Sequence, residues 1–238
     1  YPLPMIVLRE LTKVFGQHVA VGGLNLEIPA GQIVGFLGPN GAGKSTTLKM
    51  ITGMLKPTAG TAIIAGHDLA VKRSVGFVPE SGALYESLSG LEYLRMVASL
   101  YGIAAEQADA RIAEFIQFFD LTWDLLTEKL LAAYSKGMRR KIVIISALLH
   151  NPPVLLFDEP LDGLDVNAAM GFKTLIQTLA KQGRTVVYSS HILDVVEKVC
   201  DRVVIINQGK LVLDGAPAAV SAANGGRSLE EIFTALTG

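Results

Sequence analysis

The 238-residue chain holds one cysteine, Cys200, so it can build neither an internal disulfide framework nor a thiolate metal cluster. Cys200 reads as a small buried hydrophobe and suits a reducing compartment. An excess of one charge is missing as well. The 21 basic residues are offset by 22 acidic ones, giving a formal net charge of −1. No basic stripe of the kind that grips nucleic acid stands out, and no nucleic-acid partner is expected. Charged residues make 18% of the chain, below the usual proportion of about a quarter. Hydrophobic residues make 50%. That balance describes a large core, or apolar surface reserved for a partner. Long apolar runs are also absent. The most apolar stretch, 142–157, is broken by His150, Asn151, Pro152 and Pro153, leaving halves too short to cross a bilayer. The N-terminus lacks the charged start, apolar stretch and cleavage site of a signal peptide. Residues 1–4 precede Met5 and read as an added remnant. No internal repeat, low-complexity tract or long linker is found.

What is present is alternation. Short apolar runs at Ile33–Leu37, Val154–Phe157, 185–188 and 203–206 read as strands, the second buried on both faces. Helical patterns at 44–54, Val166–Lys181 and 192–199 lie between them. This argues for an α/β core with a largely parallel sheet. Runs at 6–11, 19–21 and 24–28 suggest short strands parted by turns, in an antiparallel sheet beside that core. Helical patterns at 91–101, 106–119 and 138–150 suggest an α-helical lobe inserted at about 84–150.

Between the first apolar run and the first helical pattern the chain reads Gly38, Pro39, Asn40, Gly41, Ala42, Gly43, Lys44, Ser45. This fits the phosphate-loop spacing G-x-x-x-x-G-K-[ST]. Glycines let backbone N–H groups approach phosphate oxygens closely. The helix start behind them adds unpaired N–H groups and the positive end of its dipole. Lys44 is the expected partner of the β and γ phosphates. The Ser45 hydroxyl would hold Mg²⁺, with Thr46 and Thr47 extending the cradle. The run 154–157 ends in Asp158 and Glu159. Asp158 at a strand end can reach the metal beside Ser45. Glu159 is expected to point the other way by strand alternation, and to activate or orient the water that attacks the γ phosphate. Without a phosphate loop nearby, two acids after a strand would be a solvated turn.

With these motifs in order, the chain closely resembles the ATP-binding subunit of an ABC transporter, from about residue 6 to 238. The resemblance implies a P-loop NTPase (RecA-like) core with an N-terminal antiparallel β subdomain and an inserted α-helical subdomain, as one ATPase domain over 5–238. It also implies two subunits sandwiching ATP between the phosphate loop of one and a signature motif of the other. Tyr134-Ser135-Lys136-Gly137-Met138 stands where the family usually has Leu-Ser-Gly-Gly-Gln. Ser135 and Gly137 match, and Lys136 and Met138 resemble a subgroup of prokaryotic exporters. Leu161-Asp162-Gly163-Leu164-Asp165 resembles the family's D-loop, with Asp165 contacting the partner site or capping the next helix. His191 resembles the switch histidine, which touches the γ phosphate. Phe15 stands where the family stacks an aromatic ring on adenine. Glu80, in Gly76-Phe77-Val78-Pro79-Glu80, replaces the usual Gln that contacts Mg²⁺ and water. A carboxylate there can serve as a metal contact and adds negative charge. His18, His67 and His150 match no motif.

The function implied is an ATPase, with ATP and Mg²⁺ as cofactors, that powers export through a separate transmembrane permease by ATP-driven dimerisation. Its second ATPase subunit would be identical or related. It would sit in the cytoplasm, held to the inner face of the cell membrane by the permease, which the segment 84–94 would touch. The alternative is an ABC ATPase of translation or DNA repair, but the paired ATPase domains, coiled-coil insertions or basic extensions usual there are not visible. A P-loop kinase or GTPase would not need Ser135, Gly137, Asp165 and His191 together.

Overall fold

The first two strands are long because Gly22 and Gly23 sit in a bulge, leaving the turn to Gly16 and Gln17. The computed structural model describes residues 4–65, 67–68, 72–190 and 193–238. In it β1 (Pro4–Phe15) and β2 (His18–Pro29) pair antiparallel around Gly16 and Gln17. Of the turns expected between 6 and 28, one forms at Gly16 and Gln17, while the one expected between 21 and 24 is absent. The chain passes through Gly22 and Gly23 as strand, with φ 67 at Gly23 and φ 47 at Glu10 on the facing strand. Register shifts there mark two bulges, which bend and twist the pair.

Next come β3 (Ile33–Leu37), α1 (Lys44–Ile51), β4 (Ala59–Ile64), β5 (His67–Asp68) and β6 (Val75–Val78). Helices α2 (Gly90–Leu100), α3 (Ala105–Ile116), α4 (Trp123–Glu128) and α5 (Lys136–Leu148) follow. The chain closes with β7 (Val154–Phe157), α6 (Val166–Lys181), β8 (Thr185–Ser189), α7 (Leu193–Val199), β9 (Arg202–Asn207), β10 (Lys210–Gly215), α8 (Pro217–Ala223) and α9 (Leu229–Thr237). One sheet is antiparallel, in the order β2-β1-β4-β5. The other runs β10-β9-β3-β8-β7-β6, parallel except for β10 at its edge. The fold is a P-loop NTPase α/β core beside an antiparallel sheet.

Period-two alternation explains why the central strands read as unbroken apolar runs. Leu155 and Phe157 of β7 enter one core, while Val154 and Leu156 enter the other. Val186 and Tyr188 of β8 oppose Val187 in the same way. Val203 and Ile205 of β9 likewise oppose Val204 and Ile206. A strand covered on both faces needs an apolar residue at every position. The first core is roofed by Leu91, Ile112, Ile142 and Phe172 from α2, α3, α5 and α6. The second is closed by the antiparallel sheet and by Leu48, Met50 and Ile51 of α1.

Helices α2 to α5 leave after β6 and return at β7. These two strands are neighbours, with Val75 opposite Val154, so the helical run starts and ends side by side. Ser89 and Glu92 form a capping box that starts α2. The helix expected over 44–54 stops at Ile51, and Gly53 turns the chain with φ 70. Among the described residues no helix is long and apolar enough to cross a membrane.

Gly171 sits inside α6, where glycine costs about 1 kcal/mol relative to alanine. Packing explains it. A β-carbon there would lie 1.7 Å from the carbonyl oxygen of Phe118. Gly171→Ala is therefore expected to destabilise the fold by about 1–3 kcal/mol, through forced separation of α6 from the 116–119 segment. Chemical denaturation would show a lower midpoint. An unchanged or raised midpoint would mean that the contact yields freely.

Candidate active site

The phosphate loop is placed by β3, whose five residues are all buried. Gly41 has φ 80 and Gly43 has φ 104, conformations that a side chain resists. A β-carbon on Gly43 would also lie 2.5 Å from the carbonyl of Ala20. Gly43 is the N-cap of α1 and supplies no side-chain cap, so the first N–H groups of that helix stay available to an anion. The helix carries no acid in its first turn.

Lys44 is buried, and its ammonium spans the loop, donating to Gly38 O at 2.7 Å and Pro39 O at 3.2 Å. Burial pulls its pKa below the ordinary lysine value, against the pull of Glu159, Asp158 and Glu80. A cation held in dry surroundings near three carboxylates is well suited to a polyphosphate. Asn40, Gly41, Ala42, Gly43, Lys44, Ser45 and Thr46 line one cavity of about 480 Å³, together with Glu80, Glu159 and Phe15. Gly38 and Pro39 border a smaller opening that also includes Glu80 and Glu159. Thr47 turns away from the cavity. It is fully buried, and its hydroxyl donates to Gly43 O at 2.9 Å, so Thr46 alone extends the cradle with a side chain.

Phe15 is 49% exposed, which excludes an ordinary core phenylalanine. The tight turn at Gly16 holds it opposite His18, and both rings border the cavity. Lys13 Nζ lies 5.1 Å from the centre of the Phe15 ring. His18 matches no motif, and only the β1–β2 pairing brings it here.

Asp158 is 1% exposed. Its Oδ1 accepts a 2.7 Å hydrogen bond from Ser189 Oγ, while its Oδ2 is buried and has no hydrogen-bond partner. A buried carboxylate oxygen left unpaired is costly unless a cation meets it. The donor set fits Mg²⁺, a hard ion that uses few protein oxygens and completes its shell with phosphates and water. Among the described residues no group of three or more acidic, histidine or cysteine side chains forms a dedicated metal cage.

Glu159 diverges from Asp158, but not through strand alternation. β7 ends at Phe157, and Glu159 takes a left-handed backbone with φ 47. Its N–H donates to Ser189 Oγ at 2.9 Å. Ser189, at the end of β8, thus orients both acids. No motif in the sequence assigned that serine a role, and His191, two residues on, lies outside the described residues.

Asp158 borders the neighbouring groove that Glu80 also lines, and Ser135, Gly137 and Asp165 stand apart from both openings. Ser135 caps α5, accepting from Met138 N at 3.2 Å. Gly137 packs on the 161–165 turn: a β-carbon on it would lie 2.5 Å from Gly163 O. Lys136 Nζ pairs with Asp162 Oδ2 at 2.8 Å. Asp165 caps α6 through Ala168 N at 2.8 Å. That bond holds its carboxyl below the usual range. Ser135, Gly137 and Asp165 therefore share one face of the chain but do not line the phosphate-loop cavity.

The ABC transporter family profile matches residues 21–162, more than half of the chain. The ABC transporter ATP-binding protein NatA of Bacillus subtilis is 36% identical over 240 residues, covering 96% of each chain. The Nod factor export ATP-binding protein I of Burkholderia lata is 32% identical, covering 98% of this chain and 77% of its own. A solved dimeric structure of an ATP-binding cassette in a post-hydrolysis state, bound to ADP and Pi, superposes with a TM-score of 0.82. It is 26% identical and covers 89% of this chain and 98% of its own. By sequence and by fold, the chain belongs to the ABC transporter family as one of its ATP-binding, ATP-hydrolysing subunits, which power transport.

Proposed function

We propose that this chain binds ATP with Mg²⁺ on its phosphate loop, closes on a second ATPase subunit and drives a separate transmembrane permease. The observation that carries this reading is the split between the two halves of the site. The phosphate loop, Glu80 and Glu159 share one cavity, while Ser135 and Gly137 lie outside it. A capped helix start with a free face is a ready partner for the γ phosphate of another copy. The solved cassette bound to ADP and Pi is itself dimeric.

In this reading Phe15 stacks on adenine, and Lys44 with the loop N–H groups holds the β and γ phosphates. Ser45 and Asp158 hold Mg²⁺, and Glu80 adds a metal or water contact. When bound, Mg²⁺ neutralises phosphate charge and aligns the phosphate chain for in-line attack. Glu159 takes the proton of the attacking water, and His191 contacts the γ phosphate beside it. Asp165 and the 161–165 turn link the two sites across the dimer.

The permease would rest in the groove beside Glu80. That groove is lined by Met54, Phe77, Pro79, Ala83 and, of the segment 84–94, Tyr93, with Asp158 also bordering it, and Met54 is 68% exposed. The chain would thus sit on the cytoplasmic face of the membrane. Export is the favoured direction, because Lys136 and Met138 resemble the exporter subgroup. The relative from Burkholderia lata is also named for export.

Mixing two inactive variants tests the composite site. Lys44→Ala disables the loop and Ser135→Arg disables the signature. A dimer of one of each keeps one intact site, since a two-fold assembly pairs each loop with the other chain's signature. Turnover is expected from the mixture and from neither variant alone. A silent mixture in which mixed dimers are detected would rule out sites built across the interface.

A further inference from the structure

Arg140 lies on the second turn of α5, just after Ser135 and Gly137. It is 6% exposed, and a buried guanidinium brings five N–H donors that need partners. Those partners are backbone carbonyls of two loops that flank the phosphate-loop cavity. Nη1 donates to Pro79 O at 2.5 Å and to Glu80 O at 3.2 Å. Nη2 donates to Asp158 O at 2.5 Å and to Glu159 O at 2.6 Å. Nε donates to Pro160 O at 3.3 Å. One side chain therefore ties the start of α5 to the loop after β6 and to the turn after β7.

The two loops need such a tie. Glu159 holds a left-handed backbone, which a non-glycine residue keeps only when its surroundings fix it. Ser189 fixes the turn through the N–H of Glu159, and Arg140 fixes it through the carbonyls. Burial of the guanidinium opposes its charge, and Asp158, Asp162, Glu159 and Glu80 offset that cost. The fork is planar and rigid, so its two ends cannot move independently, unlike a lysine ammonium on a flexible stem. Arg140 does not border the phosphate-loop cavity itself, so any effect on ATP must pass through the residues that it holds.

We propose that Arg140 is the positioning residue that makes the start of α5, Glu80 and Glu159 move as one unit. Whatever engages Ser135 and Gly137 then also sets the reach of Glu159 towards the γ phosphate. This rests on the roles given above to Ser135, Gly137 and Glu159.

Arg140→Gln keeps two donors but cannot span both loops, and Arg140→Lys keeps the charge at a single point. Both variants should bind a fluorescent ATP analogue without Mg²⁺ within about threefold of the native chain, and keep KM. Turnover should fall about 30-fold in each, inside the ~10²-fold cost of an ångström-scale misplacement. Lysine should not rescue, because charge is not what is lost. Glu80→Gln should cost less turnover in the Arg140→Gln background than alone, since the two share one network. Turnover within threefold of native in either variant, rescue by lysine, or equal losses in binding and turnover would each overturn the proposal. Should Arg140→Gln not fold, Arg140→Lys alone decides. Glu159→Gln is assayed beside them. Normal turnover there would bring down the reading of the site and this proposal with it. A stalled Glu159→Gln beside a fully active Arg140 variant would bring down only the proposal.

Discussion

Glu159→Gln is expected to bind ATP normally and to lose turnover by about 10³-fold, within the ~10²–10⁴-fold worth of a positioned base. The amide has the shape of the carboxylate and keeps the left-handed turn, whose hydrogen bonds run through the backbone to Ser189 and Arg140. It cannot accept the water's proton. Lys44, Ser45 and the loop N–H groups are untouched, so affinity should hold. With hydrolysis stalled, the closed pair of subunits should accumulate. Light scattering should then report a doubled mass with Mg²⁺ and ATP, and a single chain with ADP. Turnover within tenfold of native would remove Glu159 from this role.

Lys44→Ala should act one step earlier and weaken ATP binding about 100-fold. The ammonium now donates to Gly38 O and Pro39 O, so it already lies along the path of the loop. A bound polyphosphate replaces those carbonyls by charged oxygens, where each bond is worth about 1.5–3 kcal/mol. A net loss near 3 kcal/mol corresponds to about 100-fold in affinity. Lys44→Arg should fail similarly, because a planar fork does not fit a pocket shaped around a point charge. Titration with a fluorescent ATP analogue reads both variants. Affinity within threefold of native for Lys44→Ala would overturn the loop assignment.

The parts of this molecule that were readable in the sequence are those where one local cause decides the structure. β7 and α6 start and stop where the pattern placed them, since Val154–Phe157 is closed by two acids and α6 is capped by Asp165. The phosphate loop was legible because its glycines answer to backbone geometry alone. Where partners far along the chain decide, the sequence was silent. β4 reads Ala-Gly-Thr-Ala-Ile-Ile, half exposed, and Gly60 is there because its missing β-carbon would lie 2.1 Å from Glu10 O. α4 has six residues, too few to show a period, and is held by the Thr122 cap. β10 pairs only at the sheet edge, and its first three residues are exposed. In the site, Asp158 and Glu159 were legible as a pair, but the cause of their divergence was not. Ser189 and Arg140 act through bonds to residues 31 and 18 positions away, which no local pattern records.

The order of the parallel sheet also bears on how the chain is made. β3 lies between β8 and β9, with Ile33 opposite Val186 and Val34 opposite Arg202. During synthesis, the strand that leads into the phosphate loop leaves the ribosome some 150 residues before either neighbour. Until then its five apolar residues offer two unpaired edges, the arrangement most prone to aberrant strand pairing. The antiparallel sheet, whose β1 and β2 are joined by two residues, can form long before that. A stalled or clipped chain ending ahead of β8 would therefore carry a finished first sheet and an orphaned β3. Such fragments should be strong clients for chaperones, even though the complete domain folds around the same strand.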